Sequence, residues 1–205
     1  MNAGSGALPV SGARGVKPVA IEEPEFTLPL KEGDFELRDY AASVVAEVTV
    51  TGDRQAAGNK GFRLLAGYIF GGNAKARKIA MTAPVTSLPN GEKIAMTAPV
   101  IQSEGQAGVW LIRFTMPRRY ALADLPVPND PRVHLKDVPA ARFAVLRFSG
   151  LTGLARVAAE TARLMALAKS RGLSPAGPVS LARYNPPWTP WFMRRNEVMF
   201  PVASR

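Results

Sequence analysis

The residues best suited to bind a ligand lie together on one predicted helix. Lys60, Leu64 and Gly67 recur at helical spacing and therefore share a face. Arg63 and Tyr68 lie beside them. A flat apolar ligand that carries carboxylates would find ion-pair partners in the two cations, an apolar contact at the leucine and room for close approach at the glycine. The alternative is a solvated helix surface whose Lys and Arg side chains extend over apolar neighbours.

A second candidate segment is the Pro-rich loop from Tyr184 to Trp191, which holds two Trp among three Pro. Proline reduces the entropy that is lost on ordering, so large aromatic side chains in such a loop either cover the end of a core or form a pocket wall. We expect Trp191 to cover the core and Trp188 to be exposed. Arg194 and Arg195 follow the loop and are expected either to bind an anion or to be solvated.

Composition excludes several kinds of active site. The chain has no cysteine and a single histidine, His134, among its 205 residues. A disulfide framework, a thiolate metal site, a Cys nucleophile and any site with two imidazoles are therefore impossible. The sequence also lacks a nucleophile elbow, a phosphate-binding loop and metal-ligand spacing, so we expect a binding protein without catalytic residues. His134 lies in an alternating segment and is expected to be a surface strand residue.

The net charge of +10 favours an anionic partner. Nucleic acid, a phosphorylated metabolite, an anionic membrane face and a carboxylate-bearing cofactor all remain open on charge alone. The chain shows no interleaved basic and aromatic stripe, so we do not expect nucleic acid to be the partner. It has no long apolar run and no apolar export segment, so we expect a cytoplasmic protein without a membrane span, although a chain trimmed of its export signal would look the same.

An eight-residue phrase, KIAMTAPV, occurs at residues 78–85 and again, unchanged, at residues 93–100. Both copies alternate as strands do, and Asn90-Gly91 between them is a strong turn signal. The sequence therefore predicts a β-hairpin over residues 78–100. Its Ile and Met face is expected to be core, with ligand contact as the alternative.

The remaining elements follow from periodicity, after a flexible leader at residues 1–22. One long strand is predicted over residues 35–50, with a bend near 41–42, followed by a loop to residue 58. A helix is predicted over residues 59–70, ending at Gly71-Gly72 because glycine permits a left-handed cap. Further elements are predicted as strands at 109–116, 143–148, 179–184 and 197–202 and a helix at 154–171.

The second predicted helix has an apolar stripe at helical spacing. The stripe consists of Leu154, Val157, Ala158, Thr161, Leu164, Met165 and Ala168. Both halves of the chain then follow the order strand, helix, strand, strand. We therefore expect one α+β domain over residues 23–205, a pseudo-twofold repeat that forms a distorted antiparallel β-barrel with two flanking α-helices.

Four segments carry a resemblance to a known family. They are GNKGFRLLAGYIFGGN at 58–73, KIAMTAPV at 78–85, YNPP at 184–187 and RRNEV at 194–198. In this order they resemble the SOUL haem-binding protein family, over roughly residues 24–203. The resemblance implies a barrel of two similar halves, each with one helix. It also implies reversible, non-covalent binding of haem or another tetrapyrrole, as a carrier, buffer or sensor, in an apolar groove beside the first helix.

The resemblance also assigns ligand contacts. In the family a basic residue falls at Lys60, positions that are apolar in animal relatives fall at Arg63 and Gly67, and a basic loop position falls at Thr189, close to Trp188. Together with the reasoning on the helix face, this gives a single predicted contact set. It consists of Lys60, Arg63, Leu64, Gly67, Tyr68 and Trp188, with no metal ligand assigned and the axial ligand of any iron left open.

Two other functions are compatible with the same fold. Effector-binding domains share the two-half architecture and take bulky, often cationic molecules. The positive charge of this chain favours anions instead, but a buried acid in the groove would reverse that argument. A non-enzymatic interaction module is the other alternative. We expect a monomer.

Overall fold

The computed structural model describes residues 22–74, 97–104, 108–185 and 188–203. Within these ranges the chain forms nine strands and two α-helices, which confirms the predicted α+β class. The strands are β1 (Phe26–Glu32), β2 (Phe35–Tyr40), β3 (Ser43–Thr51), β4 (Thr97–Glu104), β5 (Val109–Thr115), β6 (His134–Val138), β7 (Ala141–Ser149), β8 (Ser180–Arg183) and β9 (Arg195–Pro201). The helices are α1 (Arg54–Ile69) and α2 (Leu154–Lys169), and 3-10 turns lie at Leu122–Asp124 and Trp191–Met193. Residues 1–21 of the predicted leader and residues 78–96 of the predicted hairpin lie outside the described ranges.

The strands are hydrogen-bonded in the order β1-β2-β7-β9-β8-β4-β5-β3-β6. Every pair in this series is antiparallel. A barrel closes only when the end strands pair with each other. Here β1 and β6 are the two ends and each pairs on one side, so the predicted barrel is not closed among the described strands.

The order strand, helix, strand, strand occurs twice along the chain, as β3-α1-β4-β5 and β7-α2-β8-β9. The two units meet where β4 pairs with β8, with Ile101 opposite Ala182. A twofold relation between these units in space stays a prediction. The pairing of β4 with β8 is the contact that brings the strands of both units into one series.

The strand predicted over residues 35–50 is two strands. It breaks at Ala41-Ala42, where the sequence predicted a bend. On one side of the break β2 pairs with β7, and on the other side β3 pairs with β5. The break lets the two segments join different units, which a single straight strand could not do.

Helix α1 begins at Arg54, five residues before its predicted start, so the loop expected up to residue 58 is wrong. The cause is an N-cap at Asp53, whose Oδ1 accepts hydrogen bonds from the backbone N–H groups of Gln55 and Ala56, both at 2.9 Å. The predicted end is confirmed. Gly71 has a φ of 116°, the left-handed region that glycine adopts without strain.

The face that α2 buries is rotated from the predicted stripe. Glu160 is buried beside Val157 and Leu164, whereas Leu154 and Met165 are exposed. Glu160 is tolerated because Arg156 pairs with it at 2.8 Å one turn away. Two neighbouring stripes on this helix have similar spacing, so periodicity alone does not determine which one faces the sheet. Within the described ranges, neither helix is long and apolar enough to span a membrane.

Each helix covers its own apolar core. Under α1, Leu65 and Ile69 pack with residues of β3 and β5 such as Ile112. Under α2, Leu164 packs with residues of β7 and β9 such as Phe200. Helix α1 approaches the sheet closely at Gly61, where an added Cβ would lie 2.8 Å from Cβ of Ile112. The glycine therefore sets how near α1 lies to β5.

A charged network lies on the opposite face of the sheet from α2. Alternation along β2 and β9 turns Leu37 and Val198 toward α2 and turns Arg38 and Glu197 the other way. Arg38 is fully buried, and its Nη1 and Nη2 donate to the two carboxylate oxygens of Glu197 at 2.8 and 2.9 Å. Its Nε donates to Glu36 at 2.7 Å. One guanidinium thus joins β2 to β9.

The same network sets the charge of its members. Burial by itself raises the pKa of Glu197, but the hydrogen bonds and charge of Arg38 outweigh burial and hold that pKa below its usual range. The same balance lowers the pKa of Glu36. Tyr184 donates its hydroxyl to Glu197 at 2.7 Å, and burial raises the pKa of this tyrosine. Both carboxyl groups are therefore ionised at neutral pH.

The substitution Gly61→Ala should lower the free energy of unfolding by about 1–3 kcal/mol, since its methyl group overlaps Ile112. The matched control is Gly67→Ala, because nothing lies within 4 Å of its added Cβ. Alanine favours the helix, so the control should gain up to about 1 kcal/mol. Urea denaturation followed by circular dichroism measures both, and equal stabilisation by the two substitutions would contradict the close approach.

The substitution Arg38→Met should lower the free energy of unfolding by about 3–5 kcal/mol at neutral pH, because it removes the fully buried cation that pairs with Glu36 and Glu197 and leaves these carboxylates with partly exposed cations alone. The control Arg142→Met breaks the exposed pair with Asp39 and should cost at most about 1 kcal/mol.

The two buried carboxyls also give this substitution a pH signature. In the wild type their folded pKa values are depressed, so their stabilisation is present above the unfolded carboxyl pKa of about 4.3 and is lost as the pH falls below it. In Arg38→Met, acid protonates these two carboxyls and removes the penalty of burying their charge without Arg38. The difference in stability between wild type and variant should therefore shrink as the pH falls. A difference that is constant with pH would rule out the ionic role.

Candidate ligand-binding cleft

A cleft of about 620 Å³ lies between the N-terminal half of α1, the segment before α2, and strands β5 and β8. This volume falls within the range of small-molecule sites. The cleft draws on both units of the fold. Its apolar wall consists of Phe62, Ile112, Leu151, Leu154 and Leu181. The concave floor therefore offers apolar contact over a continuous surface.

Three arginines line the cleft, namely Arg54, Arg183 and Arg194. Arg54 is anchored at its base, since its Nη2 donates to the carbonyl oxygen of Thr152 at 2.7 Å. Among the described lining residues there is one carboxylate, Asp53, and its Oδ1 already caps α1. The cleft is therefore positively charged.

Arg183 has the least compensated environment of the three. Its Nε is buried and has no hydrogen-bond partner in the described part of the chain. Burial lowers the pKa of this guanidinium, and the positive charges of Arg54 and Arg194 lower it further. An anion bound beside these guanidinium groups would relieve their mutual repulsion.

The predicted helix face lies outside this cleft. Lys60, Arg63 and Gly67 are exposed on the outer side of α1 and do not line the cleft. Among the described residues, no atom lies within 4 Å of a Cβ built on Gly67. The residues that α1 contributes to the cleft belong to the neighbouring side of the helix, for example Asn59 and Phe62.

Two members of the predicted contact set point toward the core. Leu64 is half-buried and packs against the core under α1. Tyr68 is 2% exposed, and its hydroxyl donates to the carbonyl oxygen of Pro126 at 2.9 Å. Helix α1 turns this side toward the sheet because the small residue Gly61 lets it approach closely. The structure thus places the six predicted contacts in different environments rather than around one cavity.

The two tryptophans of the Pro-rich loop are both on the surface. Trp188 is 79% exposed, as predicted, and does not line the cleft. Trp191 is 59% exposed, so the expectation that it covers the core is wrong. It belongs to a short 3-10 turn that projects its ring outward, where it meets Phe192 edge to face.

Metal-binding chemistry has little support in the described residues. They hold no group of three or more His, Asp or Glu side chains that could bind a metal ion. His134 is an exposed residue at the start of β6, opposite Glu47 of β3, as its alternating segment predicted. The described cleft lining contains no His, Met or Tyr. Met81 and Met96, which belong to the Ile and Met face of the predicted hairpin, lie outside the described ranges.

Of the three cleft arginines, sequence reasoning singles out Arg194 and misses Arg54 and Arg183. The expected loop up to residue 58 leaves Arg54 outside α1, whereas recognising Asp53 as an N-cap places it on the same side of α1 as Gly58 and Phe62, four and eight residues on. No local signal identifies Arg183, because it reaches the cleft only through the pairing of β8 with β4 and β9.

Comparison with known proteins shows similarity in sequence and in fold. The chain is 28% identical over 170 residues to Heme-binding protein 1 of Xenopus tropicalis, which covers 81% of this chain and 82% of that protein. The C-terminal domain of EcmrR superposes with a TM-score of 0.59 at 10% identity, over 83% of this chain and 98% of the domain. A hydrolase from Listeria innocua gives a TM-score of 0.55 at 11% identity, over 85% and 94%. At these identities the two structures share the fold alone.

The family model described as SOUL heme-binding protein matches residues 21–201, nearly the whole chain. This range includes both units of the fold and every residue that lines the cleft. The match agrees with the four sequence segments that first indicated the relationship. On this evidence the chain belongs to the SOUL haem-binding protein family.

Proposed function

We propose that the protein binds haem or a related tetrapyrrole reversibly and without a covalent bond, as a carrier, buffer or sensor. The observation that carries this proposal is a 620 Å³ cleft that joins an apolar wall to three guanidinium groups. Membership of the SOUL family supports the same ligand class. A chain without cysteine forms no thioether, which agrees with non-covalent binding. The proposed unit is a cytoplasmic monomer without turnover.

The residues of the cleft suit the two parts of a haem molecule. The macrocycle is flat and apolar, and it would lie against Phe62, Ile112 and Leu181. The propionates are anionic, and they would pair with the guanidinium groups of Arg183 and Arg194.

Bound haem would bring a redox-active iron to the cleft. The described lining holds no side chain of the usual axial types, so binding is proposed to rest on shape and charge. Haemin and metal-free protoporphyrin should then bind with similar affinity. Much tighter binding of haemin would point to an iron ligand outside the described lining, with Met81 and Met96 as the first positions to test.

The cleft is preferred over the outer face of α1 because of its shape. A concave site removes more of an apolar ligand from water than the convex surface that Lys60 and Gly67 share. Arg63 follows Asn59 by one helical turn and so lies at the border between the outer face and the cleft. It is proposed to add positive charge near the cleft mouth. Trp188 is proposed to lie near the rim.

The alternative of a cationic ligand required a buried acid in the groove. The structure contains a fully buried acid, Glu197, but Arg38 occupies both of its oxygens. Glu197 lies beside Asn196, which lines the cleft, yet its own side chain points to the other face of the sheet. The charge of the described cleft therefore favours an anionic ligand over a cationic one.

The substitution Asn59→Trp should weaken porphyrin binding at least tenfold, or about 1.4 kcal/mol, because it fills the cleft from an exposed helix position. Gly67→Trp places the same side chain on the outer face, where space is open, and should leave the affinity unchanged. Titration with haemin and with protoporphyrin, followed by Soret absorbance, measures both. The reverse pattern would place the ligand on the outer face, and no saturable binding by the wild type would overturn the proposed function.

The substitution Arg183→Gln should weaken the binding of a dicarboxylate porphyrin by about 1–3 kcal/mol, through loss of a charge-assisted hydrogen bond. The affinity for a porphyrin without carboxylates should change little. Lys60→Gln removes the same charge from the outer face and serves as the control. An effect of Lys60→Gln as large as that of Arg183→Gln would assign the propionates to the outer face instead.

A further inference from the structure

Four large apolar side chains project from the surface between residues 188 and 193. This aromatic ridge consists of Trp188, Trp191, Phe192 and Met193, whose exposed fractions are 79, 59, 62 and 63%. Single exposed apolar residues are normal, but a cluster of four in one short segment indicates contact with another apolar phase. The tetrapyrrole cleft does not account for the ridge, since none of the four side chains lines it.

The ridge adjoins the cleft mouth. A Cβ built on Gly150 would lie 3.9 Å from the ring of Trp191, and the N–H of Gly150 donates to the carbonyl oxygen of Arg194 at 3.3 Å. The next residues on the cleft rim, Leu151 and Leu154, are 61 and 73% exposed. The ridge and the rim therefore share one side of the molecule and form an apolar surface around the opening.

This side of the molecule is also positively charged. Arg54 and Arg194 line the cleft, whereas the charge of Arg156 in the first turn of α2 is paired with Glu160. The chain as a whole carries 26 Lys and Arg against 16 Asp and Glu. An apolar ridge in a cationic setting is complementary to a surface that is apolar inside and anionic outside.

We propose that the aromatic ridge inserts into the interface of a bilayer that contains anionic phospholipid, with the cleft mouth turned toward the membrane. Trp rings favour the depth of the headgroups, and Phe and Met side chains add apolar area below it. The ridge is the tip of a turn rather than a groove, so its insertion into lipid needs no partner of matching shape. The orientation rests on the proposed function, because it would let an apolar tetrapyrrole pass between bilayer and cleft.

Vesicle sedimentation of the full chain tests the attachment without any porphyrin. We expect the protein to pellet with vesicles of phosphatidylcholine and phosphatidylserine, and to pellet much less with phosphatidylcholine alone. The double substitution Phe192→Ser with Met193→Ser should weaken this partition about tenfold or more, since two inserted apolar side chains are lost. The matched control replaces two exposed apolar residues elsewhere, Leu28→Ser with Val127→Ser, and should bind as the wild type does.

Tryptophan fluorescence gives an independent measure. Trp188 and Trp191 are exposed and Trp110 is buried, so a blue shift on adding anionic vesicles reports the ridge entering an apolar phase. Circular dichroism and porphyrin titration without vesicles must be unchanged in both double variants, which separates a lost membrane contact from a damaged cleft. If vesicles bind but porphyrin does not, the attachment stands and the proposed function fails.

Three results would overturn the attachment. In the first, the wild type does not pellet with anionic vesicles. In the second, the ridge variant pellets as well as the wild type and the control. In the third, the wild type forms an oligomer in gel filtration, the ridge variant does not, and neither protein binds vesicles. That last pattern would identify the ridge as a protein interface.

Discussion

The buried guanidinium of Arg38 is the interaction on which one half of this structure depends. It joins β2 to β9 across a face with no helix cover, and it compensates the buried carboxylates of Glu36 and Glu197. A carboxylate buried without a partner costs several kcal/mol, so these acids are compatible with the core only while the cation is in place.

The buried acids pair with Arg38 on the other face of the sheet and do not line the cleft. The cleft is therefore cationic. Its three arginines face one carboxylate among the described lining residues, and that carboxylate caps α1. The cleft is therefore suited to a ligand that is apolar and anionic at once, which is the character of haem. The aromatic ridge beside it continues the apolar surface outward, so one side of the molecule combines the proposed ligand site with the proposed membrane contact.

Local patterns were sufficient to predict most elements, because strand and helix periodicities are local properties. The strands near 109–116, 143–148, 179–184 and 197–202 and the glycine end of α1 were found in this way. Two errors have physical causes. The start of α1 depended on a single side chain, Asp53, that hydrogen-bonds the first turn. The buried face of α2 includes Glu160 and excludes Leu154. An acid is compatible with this face because Arg156 pairs with Glu160.

The sequence by itself determined the class of the fold, its two-unit order, the positive charge and the family resemblance. Only the tertiary structure decided where a ligand site can form. The cleft is built from Arg54 and Phe62 of α1, Ile112 of β5 and Arg183 of β8, and these three elements meet through the pairing of β4 with β8. The helix face that looked most like a site, with Lys60 and Gly67, is turned to solvent, because Gly61 and its neighbours turn the opposite side of α1 to the sheet. Which side of a helix faces a cavity depends on contacts between distant residues, and local sequence does not encode those contacts directly.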